Sequence, residues 1–271
     1  MPSPESLHPK PLPIVKWPGG KRFLSRHILA LCPEQFNRYF EPFMGGGAVF
    51  FSLHPSQAVL ADADPDLINC YTQVRDNPQQ VISYLSRLKN NEDEYYKIRA
   101  RRPRSEIGRA ARLIYLVTLS FNGIYRLNSS AEFNVPYGRK THLRVCDRER
   151  IKLASKALST ASLHCCDFEV AIAKAQKSDV VYLDPPYTVA HSNNGFVKYN
   201  SKIFSWADQE RLAVIARQLA RRGCKVIVSN ADHESIAKLY SDFSMIRVQR
   251  PSNISAKVEF RNKITECIFY R

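Results

Sequence analysis

The chain has 271 residues, and its hydrophobic content of 44% is ordinary for a globular protein with a sizeable core. Its 40 lysines and arginines exceed its 25 aspartates and glutamates, and the net charge of +15 favours nucleic acid or another polyanion as partner over a merely solvated basic surface. No uninterrupted apolar run approaches the ~20 residues of a membrane helix, so we expect no membrane partner.

The first thirteen residues, MPSPESLHPKPLP, are predicted to form a flexible tail, because they are rich in proline and lack the pattern of a signal peptide. Seven scattered cysteines contain no CxxC pair, which argues against a zinc site or a disulfide framework and favours reduced thiols in a cytoplasmic protein. No two histidines, His191 included, have metal-ligand spacing, so we predict no metal site.

Four apolar runs are predicted as strands that end in glycine or polar residues: RYFEPFMGGG (38–47), AVLAD (58–62), VVYLD (180–184) and KVIVSN (225–230). Continuous runs of Val, Ile and Leu are typical of parallel strands that are buried on both faces. Near the C-terminus, FSMIRV and ITECIFYR are predicted as two closing strands around a basic loop.

Helical patterns separate these strands. Residues 205–223 place apolar side chains on one helical face, with Ser205 as the predicted cap and Gly223 as the end. Residues 66–89 and 107–120 are also predicted helices, and residues 121–140 are predicted to form a hairpin around NSSAE. The expected fold is α/β, with a Rossmann-like mixed, largely parallel sheet that carries an inserted helical domain and a β-hairpin.

The strand ends carry the functional signal, because ligands of open α/β sheets bind beyond the carboxyl ends of the strands. A glycine turn follows the first strand, and Asp62 ends the second, 17 residues after Gly45. This spacing is close to that of a nucleoside-binding unit, in which the acid binds the ribose hydroxyls. Phe50 stands where the dinucleotide-binding motif has its third glycine, which argues against NAD as the cofactor without excluding it.

The sequence Asp-Pro-Pro-Tyr at 184–187 follows the third strand. The prolines fix two φ angles and keep their carbonyls, so Asp184 and Pro185 present a carboxylate and a bare C=O on a rigid frame. Tyr187 adds a flat ring. This combination suits a planar base with an exocyclic amino group, whose two N–H bonds go to Asp184 and Pro185 while the base stacks on Tyr187.

Together these motifs resemble the Dam-type DNA adenine N6-methyltransferases, including the restriction-system enzymes that act on GATC. The resemblance runs from about Lys16 to the C-terminus, and its motifs are KWPGGK (16–21), EPFMGGGAVFF (41–51), LADADPDLIN (60–69), the 121–139 hairpin and DPPY (184–187). It implies S-adenosylmethionine as methyl donor and double-stranded DNA as substrate, with the target adenine swung out of the helix. It also implies a catalytic domain of residues 14–66 and 163–271 around a DNA-recognition domain of residues 67–162.

The same resemblance assigns individual residues to the cofactor, the target adenine and the DNA. Those assigned to the target adenine are Asp184, Pro185 and Tyr187. Those assigned to the cofactor, in addition to Asp184, are Trp17, Lys21, Gly45, Gly46, Gly47 and Asp62. Those assigned to DNA are Lys16, Asn122, Arg126, Pro136 and Arg139.

Two positions depart from the family pattern and bear on the recognition sequence rather than on the reaction. Lys140 stands where many relatives have tyrosine, and Tyr125 occupies a hairpin position that is often smaller. Arg126 is the expected reader of a guanine, with a phosphate contact as the alternative. The basic runs at 97–104, 144–152 and 217–225 are either phosphate contacts or solvated surface.

Three other functions remain open at the level of sequence. The first is an RNA adenine methyltransferase, and the second is a DNA-binding module with an inactive cofactor fold. The third is an oxidoreductase on a Rossmann sheet. A restriction endonuclease acting on the same site is a candidate cellular partner, without forming a complex.

Overall fold

The computed structural model describes residues 11–188, 204–251 and 263–271. The chain divides into two compact units. The helical unit comprises Met1–Gly20, Gly45–His54 and Asp64–Ala161, and the sheet unit comprises Lys21–Met44, Pro55–Ala63 and Ser162–Arg271. Most of the predicted tail, His191 and the basic loop of residues 252–262 lie outside the described residues.

The sheet contains seven strands in the order β3-β2-β1-β4-β5-β7-β6. Strand β1 pairs in parallel with β2 and β4, β4 pairs in parallel with β5, and β7 is antiparallel to both β5 and β6. This confirms the predicted α/β class with a mixed, largely parallel sheet and two closing strands. The strands are β1 (Tyr39–Glu41), β2 (Ala58–Asp62), β3 (Ala161–Cys165), β4 (Val180–Leu183), β5 (Lys225–Ala231), β6 (Ser244–Pro251) and β7 (Lys263–Tyr270).

Ten α-helices lie within the described residues. They are α1 (Ser25–Leu31), α2 (Ala48–Leu53), α3 (Pro65–Asp76), α4 (Pro78–Leu85), α5 (Glu92–Ala100), α6 (Glu106–Leu119), α7 (Arg148–Leu158), α8 (Phe168–Ile172), α9 (Trp206–Arg221) and α10 (Glu234–Leu239). None of the helices in these parts of the chain combines the length and apolar character needed to cross a membrane.

Helix α9 follows its sequence pattern closely. Ser205 and Asp208 form a reciprocal capping box at its start, which satisfies backbone N–H groups that have no partner within the helix. Gly223 adopts a φ of +86° just after its end, a conformation that glycine reaches without strain. The predicted apolar face is buried, with Leu212 and Leu219 among its members, and packs in the core of the sheet unit.

The predicted helix of residues 66–89 is divided in two. Helix α3 ends at Asp76 and α4 begins at Pro78, because proline lacks an N–H and disfavours helical geometry in the residue before it. Asn77, at the junction, has a φ of −129° and a ψ of 44°. The helix predicted for residues 107–120 is present as α6, with Ser105 as its cap.

The predicted hairpin pairs its two arms in antiparallel fashion, but through isolated bridges rather than regular strands. Leu127 pairs with Phe133, and Ser120 pairs with Tyr137. The side chain of Asn128 accepts backbone N–H bonds from the turn and closes it. Asparagine is typical of such turns, because its short amide competes for local backbone donors.

Strand β3 was absent from the predicted elements. It lies at one edge of the sheet, and only Ala161 of its five residues is buried. Its sequence, ASLHC, therefore lacks the continuous apolar run that marks the central strands. In contrast, all four residues of β4 are buried.

Candidate active site

The parallel strands β4 and β5 are neighbours, so their carboxyl ends lie side by side. They are next to the point between β1 and β4 at which the order of the strands along the chain reverses. The register pairs Leu183 with Val228, so the next residues, Asp184 and Ser229, are neighbours. Strand β7 runs the other way and brings Glu266 beside the end of β5. This edge is where ligands of open α/β sheets bind.

Asp184 is held through one of its two carboxylate oxygens. Its Oδ1 lies 3.0 Å from Lys21 Nζ and accepts a 2.6 Å hydrogen bond from Ser229 Oγ. Charge-assisted bonds of this length are among the stronger ones in proteins. Within the described residues Oδ2 has no hydrogen-bond partner, so this oxygen can accept a bond from a ligand.

The ionisation of Asp184 is set by competing effects. Burial raises the pKa of this carboxyl above its ordinary value, because a charged group loses hydration in the interior. The Lys21 ammonium and the hydrogen bond from Ser229 both lower it, whereas nearby Glu266 raises it. The aspartate therefore depends on two fixed partners to stay charged in a buried position.

The two proline carbonyls differ in their bonding. The Pro186 carbonyl accepts a 3.2 Å bond from Gln209 Nε2, and Gln209 Oε1 in turn accepts a 3.0 Å bond from Asn230 Nδ2. Both amide side chains are fully buried, so these two hydrogen bonds attach the Asp-Pro-Pro-Tyr turn to α9 and β5. The Pro185 carbonyl accepts no bond in the part of the chain that the structure describes. Asp184 Oδ2 and the Pro185 carbonyl are thus the two acceptors of this corner that take no bond from the described residues.

Tyr187 is held by its hydroxyl, which leaves its ring orientation defined. The hydroxyl donates a 2.8 Å bond to Glu266 Oε2, and Lys21 Nζ lies 4.6 Å from the ring centroid. Burial and the nearby carboxylates raise the pKa of Tyr187 well above its ordinary value, so the hydroxyl remains a donor. Lys21 also lies 3.9 Å from Glu266, which completes a largely buried cluster of two acids, one lysine and one tyrosine.

The predicted cofactor residues of the helical unit lie around the glycine turn. Gly45 and Gly47 have φ values of +48° and +67°, in the left-handed region that favours glycine. A Cβ atom added to Gly45 would lie 3.1 Å from Trp17 Cδ1, so the turn and the indole are in close contact. The Gly46 carbonyl accepts a 2.8 Å bond from the Tyr71 hydroxyl. In the sheet unit, Asp62 ends β2 as predicted and is partly exposed.

Two of the predicted DNA-contacting residues are linked at the first turn of the hairpin. Lys16 Nζ donates a 3.3 Å bond to the Asn122 carbonyl, and Asn122 has a positive φ of 53°. Arg126 is exposed, and its Nε donates a 2.9 Å bond to Asn134 Oδ1 across the arms. This bond uses the Nε of the guanidinium.

The remaining predicted DNA contacts, Pro136 and Arg139, are exposed on the other arm. Arg139 lies 3.6 Å from Glu92, and both side chains are largely in solvent, where such a pair contributes little. The basic run of residues 97–104 is next to the hairpin, since Arg102 forms a 2.6 Å ion pair with Glu132. A positive surface therefore adjoins the hairpin within the helical unit.

Sequence reasoning missed four polar residues of the sheet unit that contact the Asp-Pro-Pro-Tyr corner, directly or through one another. They are Gln209, Ser229, Asn230 and Glu266. The polar end of KVIVSN was a signal for two of them, because polar residues that end a buried strand lie at the ligand-binding edge. Glu266 had no such signal, since it stands within an antiparallel strand whose register only the folded sheet defines.

Comparison with known proteins agrees with this geometry. The profile of the D12 class N6 adenine-specific DNA methyltransferases matches residues 17–254. The type II methyltransferase M1.LlaDCHI of Lactococcus lactis subsp. cremoris is 42% identical over 266 residues, which cover 94% of each chain. The DNA adenine methylase of Haemophilus influenzae is 35% identical and covers 98% of this chain and 96% of its own. The type II methyltransferase M.MjaIII of Methanocaldococcus jannaschii is 33% identical, with 92% and 94% covered.

These matches extend over nearly the whole chain, and the span of residues 17–254 contains the Asp-Pro-Pro-Tyr corner and the glycine turn. They exclude the oxidoreductase, and they favour DNA over RNA as the substrate. Enzymes of this class use S-adenosylmethionine as the methyl donor. The chain belongs to the D12 class of N6 adenine-specific DNA methyltransferases.

Proposed function

We propose that this enzyme methylates N6 of the adenine in double-stranded GATC, after the base has been swung out of the helix. The observation that carries the chemical part of the proposal is the corner after β4. There, Asp184 Oδ2 and the Pro185 carbonyl accept no bond from the described residues, next to a tyrosine whose hydroxyl is anchored. An adenine amino group has two N–H donors and a ring that stacks, which matches this set.

The proposed role of the corner is to make the amino nitrogen a better nucleophile. The lone pair of this nitrogen is delocalised into the ring, and positive charge develops on the nitrogen during methyl transfer. Asp184 and the Pro185 carbonyl accept the two N–H bonds and stabilise that charge, and the bond to the carboxylate is the stronger. The rigid prolines also hold the nitrogen in one position, which lowers the entropic part of the barrier.

The residues assigned to the cofactor fit S-adenosylmethionine in their chemistry. The glycine turn at 45–47 has no side chains, and Gly45 and Gly47 adopt positive φ angles, so its backbone can approach a ligand closely. Asp62 carries a carboxylate for ribose hydroxyls at the end of β2, and Trp17 offers an apolar face. When bound, S-adenosylmethionine supplies an electrophilic methyl group. Lys21 and Asp184, which pair with each other, are the remaining assigned residues.

The proposed DNA contacts are on the hairpin and at Lys16. Arg126 is exposed, and its guanidinium fork matches O6 and N7 of guanine in the major groove. Lys16, Asn122, Pro136 and Arg139 complete the set. A restriction endonuclease of the same specificity is the expected cellular counterpart, in the cytoplasm, as a separate protein.

The catalytic assignment is tested with Asp184→Asn, which keeps the size of the side chain and removes its charge. We expect transfer of tritium from labelled S-adenosylmethionine to duplex DNA to fall by at least about 100-fold, the range in which one transition-state acceptor contributes. Cofactor binding, measured by calorimetry, should stay within a few-fold. The matched control is Asp242→Asn, which removes a surface acid that pairs with Arg217 and Arg271. Full activity of Asp184→Asn would refute the assignment.

The target sequence is tested in cells. The gene is expressed in a host that lacks adenine methylation, and the genome is sequenced for N6-methyladenine. We expect modification at GATC. Methylation of adenine in another sequence would leave the reaction intact and overturn the proposed specificity. A duplex and an RNA of the same sequence, labelled side by side in vitro, would test the choice of DNA over RNA.

A further inference from the structure

Tyr125 is a partly exposed residue of the hairpin with a large aromatic ring. In the structure this ring stacks on the indole of Trp17, with centroids 4.2 Å apart and an interplanar angle of 23°. Phe133 is buried on the opposite arm, and its ring centroid lies 5.9 Å from that of the same tyrosine. The tyrosine therefore lies between the hairpin core and the indole, and all three residues belong to the helical unit.

The Tyr125 hydroxyl has a specific anchor. It donates a 3.2 Å hydrogen bond to Asp64 Oδ2. The other oxygen of Asp64 caps α3, where it accepts the backbone N–H groups of Asp66 and Leu67 at 2.9 Å. The ring is thus fixed to the start of α3 by one end and to Trp17 by its face, so its position is defined by groups from different segments.

Trp17 transmits this contact to the glycine turn. Its Cδ1 lies 3.1 Å from the position of a Cβ on Gly45, and its Cβ lies 3.6 Å from that of Gly46. A displacement of the indole would therefore displace the turn or open a gap beside it, because close-packed groups do not move independently.

We propose that Tyr125 is a positioning residue that couples the hairpin to the cofactor turn through Trp17. A hairpin ordered on DNA holds the Tyr125 ring, the ring holds the indole against the turn, and the enzyme binds its cofactor more tightly when DNA is present. By thermodynamic reciprocity, the cofactor strengthens DNA binding by the same factor. The inference rests on the proposed function, since it takes the glycine turn and Trp17 as cofactor residues and the hairpin as the DNA reader.

The test uses S-adenosylhomocysteine, which binds without turnover, and a GATC duplex. Calorimetry gives the dissociation constant of S-adenosylhomocysteine with and without the duplex for the wild type, Tyr125→Phe and Tyr125→Leu. We expect several-fold tighter binding with DNA in the wild type. Loss of the ring in Tyr125→Leu should weaken S-adenosylhomocysteine by about 2- to 10-fold, the range of an aromatic pair, and remove the gain from DNA.

Tyr125→Phe separates the ring from its anchor. It keeps the aromatic stack on Trp17 and loses the bond to Asp64, so the affinity for S-adenosylhomocysteine without DNA should fall less than in Tyr125→Leu, while the increase in affinity caused by DNA falls. The matched control is Tyr96→Leu, which removes a partly exposed aromatic ring from α5 of the same unit. This control should retain the wild-type dissociation constant for S-adenosylhomocysteine and the wild-type increase in affinity when DNA is present.

A spectroscopic signal reports on the indole directly. The chain has two tryptophans, so Trp206→Phe leaves Trp17 as the sole tryptophan. In that background the duplex alone should change Trp17 emission when Tyr125 is present and should not when it is leucine.

Three outcomes would overturn the inference. The first is that DNA increases the affinity for S-adenosylhomocysteine as much in Tyr125→Phe and Tyr125→Leu as in the wild type. The second is that DNA does not increase this affinity in the wild type, and the third is that Tyr96→Leu loses as much of the increase as the Tyr125 variants. If Tyr125→Leu does not fold, the gain measured for Tyr125→Phe decides. Failure of the wild type to bind S-adenosylhomocysteine or to methylate DNA would instead refute the proposed function.

Discussion

Replacing Ser229 with alanine removes the hydroxyl that donates to Asp184 Oδ1 at 2.6 Å. Because the single Ser229 proton is used in this bond, the Tyr182 hydroxyl must be the donor in its 2.9 Å contact with Ser229 Oγ. The chain of donors thus runs from Tyr182 to Ser229 to Asp184. Tyr182 and Ser229 are buried, so water does not replace a lost partner.

The size of the expected effect follows from the type of bond. A hydrogen bond to a charged group contributes about 1.5–3 kcal/mol. If the Asp184 carboxylate is needed in the transition state, a loss of this size corresponds to a fall in kcat of roughly 10- to 150-fold. The variant also leaves the buried Tyr182 hydroxyl without its acceptor, which costs about 1–3 kcal/mol of stability.

The matched control is Tyr182→Phe, which removes the bond between Tyr182 and Ser229 but keeps the bond from Ser229 to Asp184. Both variants should be destabilised in urea unfolding, and only Ser229→Ala should lose most of its kcat at saturating cofactor and DNA. The bond from Ser229 lowers the pKa of Asp184, so its loss should move the acid limb of the kcat profile to higher pH. Equal kcat losses in the two variants, or a wild-type rate in Ser229→Ala, would refute the reasoning.

Three further predictions concern other parts of the molecule. Lys21→Met removes the cation that lowers the pKa of Asp184, so the carboxyl should protonate at higher pH and the acid limb of kcat should shift upward; an unchanged pH profile would contradict this. Arg126→Ala should cost roughly 1–3 kcal/mol of discrimination at one base pair if the residue reads a guanine, measured as kcat/KM on substituted duplexes, whereas uniform weakening would indicate a phosphate contact. Gly138→Ala would place a Cβ 2.6 Å from the Ser120 carbonyl, and the forced shift should lower the free energy of unfolding by about 1–3 kcal/mol; a stability equal to wild type would contradict the packing at the hairpin base.

Much of the fold was predictable because its signals are local. The apolar runs of β2, β4 and β5 mark buried strands, and Ser205 with Asp208 marks the start of α9. The division at Pro78 was readable in principle, since proline restricts the residue before it. Strand β3 was not predictable in this way, because an edge strand with one buried residue has no continuous apolar pattern.

The candidate site was predictable in its chemistry but only partly in its contacts. The Asp-Pro-Pro-Tyr motif predicted a carboxylate, a free carbonyl and a stacking ring on a rigid turn. It assigned the amino group to the carbonyl of Pro185, but it did not predict that the Pro186 carbonyl accepts a bond from Gln209. That bond depends on how α9 packs on β5, which no local pattern encodes.

By itself, the sequence determined the fold class and the reaction family, and it predicted the corner at 184–187 as the place of the chemistry, because each of these was indicated by short motifs whose residues are within a few positions of one another. The tertiary structure alone decided which oxygen of Asp184 is occupied and what anchors Tyr187. Ser229 is 45 positions from Asp184, and Glu266 is 79 positions from Tyr187. Such partners meet only when the strands pair in register, and a shift of one residue would turn each side chain to the opposite face of the sheet.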